Sequence, residues 1–288
     1  LQASLIETTV GSSPHLTIAN GDEDKPVTYG SALQRVISAQ PNISGAAPVR
    51  ELPVIFRKGT DSAPLILKGG ELSAIDGIYN LRSRVTDGKA DLGPGTIMLG
   101  KNLAEEYRLL VGDNVSIVLP NGARRALRLT GVFDLGSAAA NERSAFSGGP
   151  VAAQALGLGA DEYTQVELQT RDPFDSTAVA ETLGSKAALT GLTVSDWQAD
   201  NADLLTALRS QSSSSYMIQA FVLVAVALGI VSTLAISAVQ KTRQIGILKA
   251  IGLSDQSAAE VFMWEAGVLG VSGSTAGVAL GVMLIAGF

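Results

Sequence analysis

The octet Gly95–Asn102, GTIMLGKN, is one residue short of the GxxxxGK[ST] run whose backbone N–H groups cradle nucleotide phosphates. Asn102 stands where a hydroxyl would be offered to magnesium, and Thr-Ile-Met-Leu has the makeup of a strand, so no nucleotide is expected there. His15 is the single histidine, so any Ser/His/Asp relay would have to pass through it. Beside Pro14, at the start of a strand, it reads as a satisfied surface or edge histidine. Carboxylates cluster at Asp22, Glu23 and Asp24, at Glu105 and Glu106, and at Asp161 and Glu162, in turns and on polar helix faces where solvation accounts for them. Cysteine is absent, which removes thiol nucleophiles, disulfides and zinc-finger spacings. No catalytic residue, metal ligand or cofactor of the chain's own is assigned, and the chain is not expected to be an enzyme.

The more informative residues are those of a surface. Gln240–Ser254, QKTRQIGILKAIGLS, carries Lys241, Arg243 and Lys249 with no acid. Ile245, Ile247, Leu248 and Ile251 supply apolar side chains, and Gly246 and Gly252 are the expected breaks. Two apolar stretches flank it. Met217–Val239 has 23 residues and no charge, which as a helix is about 34 Å, enough for a hydrocarbon core of about 30 Å. Val261–Phe288 has 28 residues and one charge, Glu265. Helices of globular proteins average about 11–12 residues and usually show a polar face, so two membrane helices are expected rather than buried core helices. A basic connection marks the cytoplasmic side. Residues 1–215 then lie on the opposite side, in a periplasm or at a cell surface. Exporting such a domain requires a membrane helix upstream of it, so the chain is expected to be a fragment. In the second span Gly270, Gly273, Gly277 and Gly281 form a stripe that lets another helix approach, with Glu265 near the cytoplasmic boundary as an interface residue. The basic segment itself reads either as an amphipathic helix on the membrane surface or as a docking helix for a cytoplasmic partner.

Composition agrees with this division. The 288 residues include 21 Lys+Arg and 27 Asp+Glu, a net charge of −6, with 46% apolar and 17% charged. Such a chain is not disordered, and its acidic balance argues against nucleic acid as a partner. From Tyr216 onward three bases meet three acids, so residues 1–215 hold the remaining 18 and 24 and the whole net charge.

Residues 1–215 read as α+β. Strands are expected at His15–Ala19, Val49–Arg57, Pro64–Lys68, Thr96–Leu99, Asn114–Leu119, Arg124–Phe133, Thr164–Gln169 and Thr193–Ser195. Turns are expected at Gly59–Ser62 and Pro120–Gly122. Helices are expected at Ser31–Ala39, Lys101–Leu109, Pro150–Leu156 and Pro173–Leu183, and a loop at Gly136–Gly149. A last helix starts at Trp197 behind an Asp196 cap, with Leu204, Leu205 and Leu208 on one face. No Gly or Pro follows until Gly229. This stalk therefore runs through Ser212–Ser215 into the first span as one rod.

The run KTRQIGILKAIGLS, followed by VFMWEAGVLGVSGSTAGVALG, resembles the FtsX/MacB-type permeases of ABC transporters, with Glu265-Ala266-Gly267 a small departure from the family's F-x-x-E-G pattern. Ser13–Ile18 (SPHLTI), Ile97–Gly122, Leu129–Gly136 (LTGVFDLG) and the Trp197-x-x-x-Asn201 pattern are similar to the lipoprotein-releasing, Lol-type permeases. The resemblance implies a MacB-like periplasmic core over 1–215, membrane helices over 216–239 and 261–288, and a coupling segment over 240–255, all from an incomplete four-helix permease of a bacterial inner membrane. It also implies cytoplasmic ATPase subunits, which would bind ATP and magnesium, and a second permease subunit, homo- or heterodimeric. Substrates or partners would be lipoproteins or other lipophiles, membrane lipid and a periplasmic chaperone. FtsX-like control of a cell-wall hydrolase and MacB-type peptide export are the alternatives. One departure stands out: Gly157–Asp161 is too short for the protruding hook of the chaperone-recruiting Lol subunit.

Overall fold

Alternating apolar residues give the first part of the chain its strands. The computed structural model describes residues 13–22, 25–186, 189–252 and 254–286. Glu23, Asp24, Leu253 and positions 287–288, named above, lie outside the described residues. The chain divides into two units, Leu1–Thr206 and Ala207–Phe288. The first opens with β1 (Leu16–Asn20), β2 (Val27–Thr28), α1 (Ser31–Ser38), β3 (Ile43–Lys58), β4 (Asp61–Gly70), α2 (Leu72–Tyr79) and α3 (Leu81–Arg84). Next come β5 (Val85–Gly88), β6 (Thr96–Gly100), α4 (Lys101–Glu106), β7 (Asn114–Val118), β8 (Arg124–Phe133), α5 (Ala138–Arg143) and β9 (Ser144–Gly148). It continues through α6 (Gly149–Leu156), β10 (Glu162–Tyr163), β11 (Gln165–Thr170), α7 (Ser176–Gly184), β12 (Leu192–Asp196) and α8 (Trp197–Asp200). Two long helices follow, α9 (Ala202–Ala250) and α10 (Asp255–Ala286).

The main sheet is mixed. Its order is β12-β1-β11-β3-β4-β9-β6-β8-β5, and β7 pairs both β3 and β8. That double pairing closes β3, β4, β9, β6, β8 and β7 into a ring without edges among them. All six strands send side chains into one core, among them Val54 and Phe56, Leu67, Leu99, Ile117, Leu129 and Ala145. A second core packs Leu16 and Ile18 of β1 and Val166 and Leu168 of β11 against Leu33, Ile37, Val179 and Leu183 of the covering helices. Strand β3 serves both halves: Val49 pairs Gln165 of β11, and Arg50 pairs Gly69 of β4. Its buried face changes there, from Ala47 and Val49 to Leu52, Val54 and Phe56.

The expected strands are all present, with β3 starting at Ile43 rather than Val49. The turns hold as well. Lys58 faces Asp61 across Gly59, whose φ is +64°, and Gly122 adopts φ +81° in the β7–β8 turn. Three expectations need correction. The loop expected at Gly136–Gly149 contains α5 and β9, a strand with four buried residues paired on both sides. Small residues there permit close packing: a Cβ on Gly148 would stand 2.6 Å from the Leu92 carbonyl. The helices α2 and α3 and the strand β5 had no counterpart in the expectations. Finally, His15 is not at a surface or edge. It is 2% exposed, and its ring meets Thr170 Oγ1 at 2.8 Å and Gln169 Nε2 at 3.0 Å.

The near-miss phosphate run is a packing joint. β6 leads into α4 through Gly100, where a Cβ would come 2.1 Å from the Asn141 carbonyl oxygen. Asn141 Nδ2 donates to Asn102 Oδ1 (3.3 Å) and to Asp134 Oδ1 (2.8 Å). Those bonds, the Asn141 amide first and the Gly136 N–H second, hold the Asp134 carboxyl below its ordinary range. Gly100→Ala is expected to lower stability by about 1–3 kcal/mol through overpacking. The urea midpoint of the variant measures this, and a midpoint equal to wild type would contradict the contact.

Candidate functional site

The basic segment singled out in the sequence is helical almost to its end. α9 continues through Gln240 to Ala250, so Gly246 is not a break. A lone glycine costs a helix about 1 kcal/mol, too little to stop 49 residues. The break comes at Gly252, which takes φ +101°; Ile251 N–H donates to the Ile247 carbonyl (3.2 Å) and Gly252 N–H to that of Lys249 (3.0 Å). The next helix starts at once. Ser254 Oγ accepts the Ser257 N–H at 3.2 Å, capping α10. Lys241, Arg243 and Lys249 thus lie on the end of α9, and Lys249, in its last turn, is where the negative end of the helix dipole favours a cation. Ile247 and Ile251 are exposed, and at Ile245 and Leu248 the backbone alone is described. The expected coupling loop is a helix–turn–helix presenting basic and apolar residues.

Within each long helix lies one apolar run. Ser213–Gln244 and Ala266–Ile285 are long and apolar enough to cross a membrane by length and composition, and none of either window is buried within the chain. Gly270, Gly273, Gly277 and Gly281 lie along α10, and a Cβ at any of them would meet no atom within 4 Å. Glu265 shares that helix; its side chain is outside the described residues.

The start of the stalk is corrected in one respect. Asp196 does cap it, accepting from the N–H groups of Gln198 (2.7 Å) and Ala199 (3.0 Å). However, α8 ends at Asn201, whose φ and ψ are −116° and 30°. The Asn201 backbone N–H completes the last turn of α8 on the Trp197 carbonyl (3.0 Å), and its Nδ2 caps the same carbonyl (2.8 Å) where the chain leaves the helix. The uninterrupted helix begins at Ala202 and passes through Ser212–Ser215 without a break. Leu204, Leu205 and Leu208 are on it, with side chains outside the described residues. Trp197 anchors the preceding turn: it is 7% exposed, and its Nε1 donates to the Pro173 carbonyl at 2.7 Å.

Sequence reasoning missed a buried ionic cluster in the first unit. Lys68 of β4 pairs with Glu51 of β3 (2.7 Å) and with the fully buried Glu167 of β11. The Tyr79 hydroxyl donates to Glu167 at 2.8 Å, and Gln165 Nε2 donates to both carboxylates at 3.0 Å. Burial pulls the Lys68 ammonium down, but the Tyr79, Glu167 and Glu51 oxygens outweigh it and hold its pKa well above the ordinary 10.5. Burial, then Glu167, pushes the Tyr79 phenol well above its ordinary 10.0. These residues are 99 positions apart in chain (Lys68–Glu167), with no spacing that a motif could record. Among the described residues no group of three or more His, Cys, Asp or Glu could hold a metal. The Gly157–Asp161 connection is short in the structure too, and Arg50 holds the carbonyls of Gly159 and Ala160.

Residues 216–288 match the family described as FtsX-like permease C-terminal. The chain is 28% identical over 257 residues to the lipoprotein-releasing system transmembrane protein LolC of Xylella fastidiosa, covering 85% of this chain and 61% of that relative. It is 26% identical to LolC of Neisseria meningitidis, over 94% of this chain and 68% of the relative. Against LolE of Haemophilus influenzae the identity is 22%, over 94% and 68%. Among solved structures, the periplasmic region of MacB from Actinobacillus actinomycetemcomitans aligns with a TM-score of 0.45 at 15% identity, over 69% of this chain and 95% of that one. The extracellular domain of YknZ from Gram-positive bacteria aligns at 0.42 and 16%, over 64% and 100%. The resemblance read from the sequence therefore holds, to FtsX-like permeases in the helical part and to Lol permeases along most of the chain.

Replacing Lys68 with Met leaves two carboxylates without their cation and is expected to cost about 3–5 kcal/mol. Lys68 and Tyr79 both bind their protons more tightly when folded, so their contribution is whole below the unfolded values near 10 and is lost as pH climbs through the raised folded ones. Urea unfolding across that range should show wild-type stability falling only on the alkaline side. A Met variant as stable as wild type at neutral pH would contradict the clamp.

Proposed function

We propose that the chain is part of a permease subunit of an ABC transporter that couples cytoplasmic ATP hydrolysis to movement of an extracytoplasmic domain, releasing lipoprotein or another lipophile. The observation carrying this reading is the match of 216–288 to FtsX-like permeases, joined to the basic helix–turn–helix at Gln240–Ser254. In this reading residues 1–215 lie on the periplasmic side of an inner membrane, 216–239 and 261–288 cross it, and 240–255 contacts ATPase subunits. The charge distribution supports that orientation, since three bases and no acid occupy the connection. The lipoprotein-releasing LolC and LolE relatives support the substrate class, and the same likeness supports a second permease subunit.

The mechanical part follows from helix length. The 49 residues of α9 span about 74 Å at 1.5 Å per residue, more than twice a hydrocarbon core of about 30 Å. The apolar run 217–239 accounts for the core; 15 residues precede it and 11 follow it on the same helix. A push on Lys241–Gly252 would travel along one hydrogen-bonded element as far as Ala202. The helical turn Asn201 is then the first joint at which the motion could change direction.

Two measurements test this. Ile247→Glu is expected to abolish co-purification of an ATPase subunit with the full-length permease, and an intact complex would contradict the docking role. Inserting two glycines after Ser213 is expected to reduce substrate release at least tenfold while the complex still assembles and hydrolyses ATP. Unchanged release would rule out the rod.

A further inference from the structure

A cavity of about 720 Å³ in the first unit is lined by Arg50, Tyr163, Glu71, Asp91, Gly149 and Pro150 among others. Arg50 is 6% exposed and forms no ion pair among the described residues. Its Nε donates to the Glu162 carbonyl (2.9 Å), and its Nη2 to those of Gly159 (3.0 Å) and Ala160 (2.7 Å). The Tyr163 ring stacks on the guanidinium with its centroid 4.2 Å away. Three donors and one face are thus committed. The two N–H groups of Nη1 donate to none of the described residues, and Nη1 stands 3.2 Å from the point where a Gly149 Cβ would be. The guanidinium is thus fixed in place by its neighbours, and its Nη1 edge opens onto the cavity, where an anion could pair with it.

The same point is a helix N-terminus. Gly149 opens the eight-residue α6, whose cap residue Gly148 offers no side-chain acceptor; Pro150 has no N–H, so the first-turn donors are those of Gly149 and Val151. Close packing brings the two together: Gly69 of β4 leaves room for Ala152 of α6, whose Cβ would lie 2.5 Å from a Cβ at that glycine. The lining also includes two acids. Glu71 accepts the Ser73 hydroxyl at 2.6 Å, and Asp91 accepts the Gly93 N–H at 3.1 Å. An occupant anionic at Arg50 and neutral or cationic beside the acids fits this lining.

We propose that this cavity binds phosphate, free or as part of a phospholipid headgroup, between Arg50 Nη1 and the first turn of α6. A tetrahedral phosphate offers oxygens to a guanidinium edge and to backbone N–H groups at once. The site stands independently of the transport reading, since it uses no residue of the helical unit.

The test uses the full chain in a phosphorus-free detergent, titrated by calorimetry with inorganic phosphate and, separately, with monomeric dihexanoyl phosphatidylethanolamine. Saturable binding of inorganic phosphate identifies a free-phosphate site, and saturable binding of the lipid alone identifies a headgroup site. In either case Gly149→Leu, which fills the cradle but leaves the three carbonyl bonds of Arg50 in place, is expected to weaken binding at least tenfold. Its urea midpoint is measured beside the titration, so that the loss of binding is read from the folded variant. Arg50→Gln should weaken binding to the same degree; if it loosens the 159–162 loop and unfolds, the Gly149 variant alone decides. Failure of both titrants to saturate, or undiminished affinity in Gly149→Leu, overturns the proposal.

Discussion

Strand β3 changes partners between Val49 and Arg50, and the ionic clamp beside that change is the constraint on which the first unit rests. Lys68 sits between Glu51 and Glu167 and so ties β4, β3 and β11 together where two ladders meet. A strand that passes from one core to another must turn a different face inward on each side, and a slip of one residue would bury the wrong set. Apolar alternation rejects a one-residue slip but not a two-residue one, which keeps the same faces inward, so it does not complete the register. Charge does select it: only one register places a cation of β4 between carboxylates of β3 and β11. Buried ion pairs are a weak source of stability but can specify an arrangement, and here the arrangement is the junction of two lobes.

The opposite face of the same junction carries Arg50, one residue from Glu51 and therefore pointing the other way. It binds the loop at 159–162 and underlies Tyr163, so the connection from α6 to β11 is drawn down onto β3. That explains why this connection is tight where a protruding element would need slack. Trp197 and Asp196 act similarly at the base of the stalk, securing the chain to the sheet before the long helix begins.

The helical unit obeys a different rule. Apolar residues surround the helix along the two runs in α9 and α10 rather than lying on one stripe, as expected where the surroundings are lipid and backbone groups must be satisfied within the helix. Glycines become contact surfaces in such a setting, and none of the four on α10 is occupied by another part of the chain. The polar work is concentrated at the turn, where Gly252 and Ser254 end one helix and start the next within five residues, Ala250 to Asp255.

Local pattern alone determined much of this protein. Period-two alternation, turn glycines and the uncharged run at Met217–Val239 each depend on neighbours in sequence, and each predicted its element correctly. What escaped was whatever depends on distant partners. The strand Ser144–Gly148 has small, polar-looking residues because helices and loops press on it, and only packing reveals that need. Gly246 looks like a break, yet the long helix before it continues through it for one more turn, to Ala250. Asn201 looks helical, yet the short helix ends there, its amide on the Trp197 carbonyl. The Lys68 clamp and the Arg50 cavity unite residues about a hundred positions apart, and only the tertiary structure places those groups within bonding distance and removes the water between them.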